Sequence, residues 1–180
     1  MKSLSRFLSL AALAFALAAC TTAGPQPPPI AEQLEAVKTY MLTYLSEERA
    51  RLNAEAKPLR LDPMLAAAAQ AHSEAMAEKN AFDDGGADGN VAIQQLAADP
   101  DFQGFVGENS AMQYFHPEFG IDPETYARAF VDQWVASPGH RANIEYANFD
   151  RAGIGVAAKG DTIYAAGVFA TDLGLPPRTD

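Results

Sequence analysis

Three histidines, His72, His116 and His140, and a single cysteine, Cys20, are the residues of this chain best suited to nucleophilic or metal chemistry. A neutral imidazole can ligate a metal or carry a proton near neutral pH, and a thiolate can attack or ligate. Beyond residue 20 the serines are Ser46, Ser73, Ser110 and Ser137, and none lies in a Gly-x-Ser-x-Gly elbow. No P-loop, dinucleotide fingerprint or HExxH is present. The run Asp83-Asp84-Gly85-Gly86-Ala87-Asp88-Gly89-Asn90 has the composition of a calcium loop. It lacks the closing Glu of the EF-hand spacing and reads as a solvated acidic loop. His72, between Ala71 and Ser73, has two readings, a ligand or a packed, hydrogen-bonded core histidine, and the second is preferred. His116 precedes Pro117 in a loop and is assigned no role.

The elements that must position these groups follow from periodicity. From Ile30 to Asn53 apolar residues fall at Ile30, Leu34, Val37, Met41, Leu45 and Leu52, the spacing of a helix. Its polar face carries Glu32, Glu35, Lys38, Glu47, Arg49 and Arg51. The stretch from Ala54 to Arg60, with Pro58, breaks it. Asp62-Pro63 then predicts a helix start, because a carboxylate can accept from free amides and proline suits the first helical position. That helix runs to about Lys79 and is rich in alanine, which lets a neighbouring element approach closely. A short helix is expected over Val91 to Ala98 and a strand over Val106 to Phe115. Asp122-Pro123 repeats the helix-start signal for a helix to Ala136, with Tyr126, Phe130 and Trp134 at helical spacing. Ser137-Pro138-Gly139 is read as its end. Arg151 to Ala158 and Thr162 to Thr171 form a hairpin turned by Lys159-Gly160-Asp161. Helices interleaved with few strands imply an α+β fold, a small antiparallel sheet covered by helices.

The N-terminus reads as an export signal: Lys2 and Arg6, then an apolar run from Leu8 to Ala19 too short to span a bilayer. Its end, Leu17-Ala18-Ala19-Cys20, resembles the lipobox of bacterial lipoproteins. That resemblance implies cleavage before Cys20 and acylation of its thiol, palmitate included. The alternative is an ordinary signal peptide with Cys20 incidental. As the one cysteine, Cys20 has no internal disulfide partner, and acylation would remove an otherwise unpaired thiol. More than one acyl chain gives stable anchoring. Thr21 to Pro29, with Gly24, Pro25, Pro27, Pro28 and Pro29, is a proline-rich tether. The expected organisation is signal peptide over 1–19, lipidated cysteine and tether over 20–29, domain over 30–173 and loose tail over 174–180.

Charge limits the partners. The chain holds 13 Lys and Arg against 23 Asp and Glu, a net of −10. Loss of Lys2 and Arg6 with the signal leaves 11 against 23, a net of −12. Such a surface repels phosphate backbones, so no nucleic-acid partner is expected.

Three stretches line up in order: Leu59 to Phe82 with Leu65, Ala69, His72, Met76 and Asn80; Val106-Gly107-Glu108-Asn109; and Trp134 to Ile144 followed by Phe149 and Gly153-Ile154-Gly155-Val156. Together they resemble the CAP superfamily of cysteine-rich secretory proteins, antigen 5 and pathogenesis-related 1 (SCP domains), in its bacterial branch. The resemblance implies an α-β-α sandwich. It also implies a cleft where two His and two Glu can hold a divalent metal such as zinc. Glu108 matches the Glu of the Gly-Glu-Asn motif, and His140 stands at the Ser-Pro-Gly-His position. The place of the family's first His holds Asp83 and Asp84, and that of the second Glu holds Ser137. The family's Asn-x-x-Arg reads Ser46-Glu47-Glu48-Arg49. The tetrad is at most half present.

Glu108 and His140 are thus the cleft and metal candidates, with Asp83 or Asp84 as added carboxylates. As a pair they could share a metal or act as acid and base on a water, though zinc takes three or four ligands. The competing reading has Glu108 bonded to turn amides and His140 bracing the loop after the Trp134 helix. Asn109 and Asn143 are expected to fix backbone. The preferred function is a non-catalytic cell-envelope lipoprotein, outer-membrane sorted in a diderm cell. Its partners would be the membrane through the lipid and an apolar ligand or envelope protein. The alternatives are a metal-dependent envelope hydrolase acting on peptide or glycan through Glu108 and His140, or a tether using only its acidic surface.

Overall fold

The computed structural model describes residues 27–82, 91–100, 102 and 104–172. Cys20, the 1–19 leader, Asp83, Asp84 and the 174–180 tail lie outside the described residues. The element order is α1 (Ile30–Leu52), β1 (Arg60–Leu61), α2 (Pro63–Lys79), α3 (Val91–Ala98), β2 (Gly104–Tyr114), α4 (Pro123–Ala136), α5 (Pro138–Glu145), β3 (Arg151–Lys159) and β4 (Thr162–Asp172).

The two Asp-Pro signals act as read. The Asp62 carboxylate accepts from the amides of Met64 and Leu65, and that of Asp122 from Thr125, with proline in the first turn of each helix. Asn80 ends α2 in the left-handed region, at φ 49°.

The strands form one sheet in the order β1-β3-β4-β2. β3 and β4 are an antiparallel hairpin, and β2 pairs antiparallel with β4 from Gly104↔Asp172 to Tyr114↔Thr162. The sheet is not wholly antiparallel, however. Two residues, Arg60 and Leu61, pair parallel with Arg151 and Ala152. The sequence expects a break and a helix start there, since two residues are too few to show a strand pattern.

Side chains alternate between the faces of a strand, and each face has its own helical cover. Ala152, Ile154, Val156, Ile163, Ala165 and Phe169 pack with α1, α4 and α5 around fully buried Phe130 and Trp134. Ala166, Val168 and Ala170 pack with Leu65, Ala68 and Ala69 of α2 and Leu96 of α3. The result is the expected α-β-α sandwich. Each large apolar side chain so buried contributes about 1.5–3 kcal/mol.

Two glycines let α2 lie against the sheet backbone. A Cβ on Gly153 would stand 2.0 Å from the Ala66 nitrogen, and one on Gly155 would stand 2.2 Å from the Ala69 carbonyl carbon. The alanine-rich α2 and the bare backbone of β3 therefore meet at a distance no other residue types allow.

Helix α5 departs from the sequence expectation. Ser137-Pro138-Gly139 does end α4, but Ser137 is also the residue before a new helix with Pro138 at its first position. A Pro after a Ser stops one helix and starts the next.

Candidate functional site

Glu108 sits in the middle of β2, an edge strand, opposite Val168 of β4. Ser110, two residues on, faces Ala166. Both therefore point into the α2 layer, where Val168 and Ala166 pack. His72 of α2 meets them there. Its Nε2 lies 3.1 Å from Glu108 Oε1 and 3.2 Å from Ser110 Oγ, and the Ser110 hydroxyl donates to Glu108 Oε1 at 3.2 Å. The Glu108 side chain is 2% exposed and that of His72 1%. This is a buried polar set under a helix, reached because Gly153 and Gly155 bring α2 down onto the sheet.

Residues of opposite parity on β2 face the other layer. Asn109 donates through Nδ2 to the backbone carbonyl of His140 at 3.0 Å. Asn143 donates to the backbone carbonyl of Glu108 and to Asn109 Oδ1, both at 2.9 Å. The two amides thus fasten α5 to β2 by backbone, as expected for short amide side chains. Gly107 is needed for the fit, since a Cβ there would meet Asn143 Oδ1 at 2.7 Å.

The two residues that the motifs single out stand on adjoining elements, Glu108 on edge strand β2 and His140 at the start of α5, whose backbone carbonyl Asn109 holds. The Glu108 side chain points toward α2. The helix carrying His140 packs in the opposite layer, on Asn109 and Gly107. Among the described residues the ion-pair partner of Glu108 is His72. Asp83 and Asp84 lie outside the described residues. Exposed His116 lies 3.7 Å from Glu118 in the loop after β2, away from this set.

The described residues do not fit a zinc centre. No three His, Cys, Asp or Glu side chains among them converge as a metal would need. Nor is the Ser110–His72–Glu108 set a nucleophile relay. A relay needs the imidazole to meet hydroxyl and carboxylate through different nitrogens. Here one nitrogen, Nε2, faces both. The set can hold a buried carboxylate and fix α2 to β2.

Two further polar residues complete the frame, and in the sequence analysis the burial of neither is foreseen. Arg49, placed there on the solvent face of α1, is 2% exposed. Its guanidinium donates to the backbone carbonyls of Lys57 (2.7 Å), Ile144 (2.5 Å), Tyr146 (2.9 Å), Ala147 (3.4 Å) and Phe149 (2.5 Å). It closes the end of α5 and the loop into β3. Burial pushes its pKa below the ordinary value. At the other end of α1, buried Gln33 accepts from the Ile121 amide at 2.6 Å and donates to the carbonyl of Pro28. The missed signal was spacing. Gln33, Val37, Met41, Leu45 and Arg49 are each four apart, so both polar residues lie on the apolar stripe.

The family model described as "CAP: Cysteine-rich secretory protein family" matches residues 45–171. Among solved structures the chain is similar to an outer surface protein from Borrelia burgdorferi. The identity is 17%, covering 77% of this chain and 93% of that one, with a TM-score of 0.58. It is similar to an extracellular protein containing an SCP domain from Bacillus anthracis, at 22% identity over 83% of this chain and 45% of that one, TM-score 0.61. A cysteine-rich secretory protein from Staphylococcus aureus matches at 17% identity over 78% of this chain and 40% of that one, TM-score 0.53. This chain spans less than half of those last two proteins. At these identities the likeness is one of fold. No curated protein matches the chain.

Proposed function

Because this chain belongs to the CAP family of cysteine-rich secretory proteins, we propose that it is an exported, lipid-anchored envelope module that binds a partner and performs no hydrolysis. Export is supported by the leader and by bacterial structural neighbours, one named as an outer surface protein and one as extracellular. Among the described residues no helix is long and apolar enough to cross a membrane, and acylated Cys20 would supply the anchor. The partner is an apolar ligand or an envelope protein.

The observation that carries the non-hydrolytic reading is the burial of Glu108. A carboxylate that activates water or ligates zinc must offer an oxygen to a site substrate can reach. Here Oε1 faces His72 and Ser110, and the side chain is 2% exposed. Zinc titration of the full chain, purified in detergent without a histidine tag, checks this. The expected outcome is no binding tighter than millimolar and no turnover of envelope peptide or glycan. Turnover that is lost in Glu108→Gln and His140→Ala, with folding intact, overturns the reading in favour of a metal-dependent hydrolase. Membrane fractions of wild type and Cys20→Ala check the anchor: wild type incorporates labelled palmitate and the variant does not.

A further inference from the structure

The tether is not free where it meets the domain. Gln33 holds the Pro28 carbonyl and the Ile121 amide together, and Pro27 Cβ stands 3.1 Å from where a Cβ on Gly120 would be. Pro27, Pro28, Ile30, Phe115, Pro117 and Ala158 line an open pocket of roughly 310 Å³ at this end, beside the β3–β4 turn. Next to it Phe119 is 76% exposed, Ile30 39% and Tyr114, at the tip of β2, 67%. Resting on the lipid-anchor reading above, we propose that this end of the sandwich is seated on the bilayer, with Phe119 and Ile30 entering the lipid interface.

Exposure alone does not choose an end. Phe105, at the start of β2, is 60% exposed and Leu61 62%. Reach chooses. From Cys20 to Pro27 the chain has seven Cα–Cα steps, about 25 Å at full extension. α1 has 23 residues and β2 has 11, and each spans roughly 35 Å. A tether latched at the Gln33 end keeps that end within about 25 Å of the bilayer in every orientation, whereas the Phe105 end swings through roughly 35 Å more. The Gln33 end, by contrast, is held within the tether's length of that bilayer. There the exposed Phe119 and Ile30 gain by leaving water, and tyrosine suits the headgroup level. Glu32, Glu118 and Asp161 rim the same end against Lys159, so a zwitterionic surface is the better match.

The test uses the full lipoprotein in phosphatidylcholine vesicles that contain nitroxide-labelled lipid. With Cys20 acylated, Phe119→Cys or Phe105→Cys gives the one free thiol for an environment-sensitive dye. Both positions are exposed, so neither substitution opens the core. The expected result is about two-fold quenching with a blue shift at 119 and none at 105. Quenching at 105, or at neither position, in protein whose Cys20 carries palmitate overturns the seating and leaves the anchor reading standing. Absence of palmitate on Cys20 overturns both.

Discussion

The two faces of the sheet each bury a charge-bearing side chain, and they satisfy it in opposite ways. On the α1, α4 and α5 side, Arg49 is surrounded, among the described residues, by five backbone carbonyls and no carboxylate. On the α2 side, Glu108 meets, among the described residues, the side chains of His72 and Ser110. Carbonyl dipoles are fixed by the fold, so the Arg49 cluster is a clamp on a loop that it ties to α1 at several points. The side-chain partners His72 and Ser110 join one helix to one strand. A buried charge answered by backbone should therefore matter to the whole domain. One answered by side chains should matter to a single contact.

The largest expected effect breaks the first side. Arg49→Ala removes a donor from five carbonyls, of which those of Tyr146 and Ala147 keep the amides of Phe149 and Lys57, and should cost about 4 kcal/mol in urea unfolding. Arg49→Lys should recover only part, since an ammonium cannot fork across so many acceptors. Gly155→Ala attacks the second side through the close approach of α2. Its Cβ would overlap Ala69 backbone, and about 3 kcal/mol is expected. In that variant amide exchange should accelerate in α2 while the loop held by Arg49 stays protected, which separates the two faces. A double-mutant cycle between His72→Ala and Glu108→Gln should give a coupling of about 2 kcal/mol. A cycle between Arg49→Lys and Glu108→Gln should give none. Coupling in the second cycle would mean that the faces are not independent.

The contrast also explains which features could be read from the sequence. Asp62-Pro63 and Asp122-Pro123 fixed two helix starts because their chemistry is local: a carboxylate, a free amide two or three residues on and a preset φ. The hairpin around Gly160 was local too, as was the Trp134 face of α4. The motifs around Glu108 and Trp134 sufficed for the sandwich. What was missed depends on distant partners. Arg49 looks like a solvent-facing charge until the 144–149 loop is in place. His72 and Glu108 look unrelated until two glycines on a third element bring α2 down. Strand alternation directs the Glu108 side chain toward α2, where it meets His72, a partner that its own motif does not announce. β1 owes its pairing to β3, and two residues carry no pattern of their own.

The smallest expected effect asks whether burial or dipole satisfaction sets the size of the first. Asp122, like Arg49, is a charge answered by backbone, here the Thr125 amide at 2.7 Å, but it is exposed. The Thr125 side chain and that amide hold its pKa below the ordinary carboxylate value. A lowered pKa means that the folded state favours the ionised form. The stabilisation is therefore complete above the unfolded value, about 3.8, and is lost as pH falls through the lower folded value. In urea titrations between about pH 5 and pH 2, Asp122→Ala should lose less stability on acidification than the wild type does. Salt should shrink the difference, since the group is in solvent. Arg49→Lys should show no such pH step in this range, because neither an arginine nor a lysine changes charge there. If Asp122→Ala instead matched Arg49→Ala in cost, fixed backbone dipoles alone would set the magnitude. A small, pH-dependent and salt-sensitive loss assigns the large effect at Arg49 to its burial.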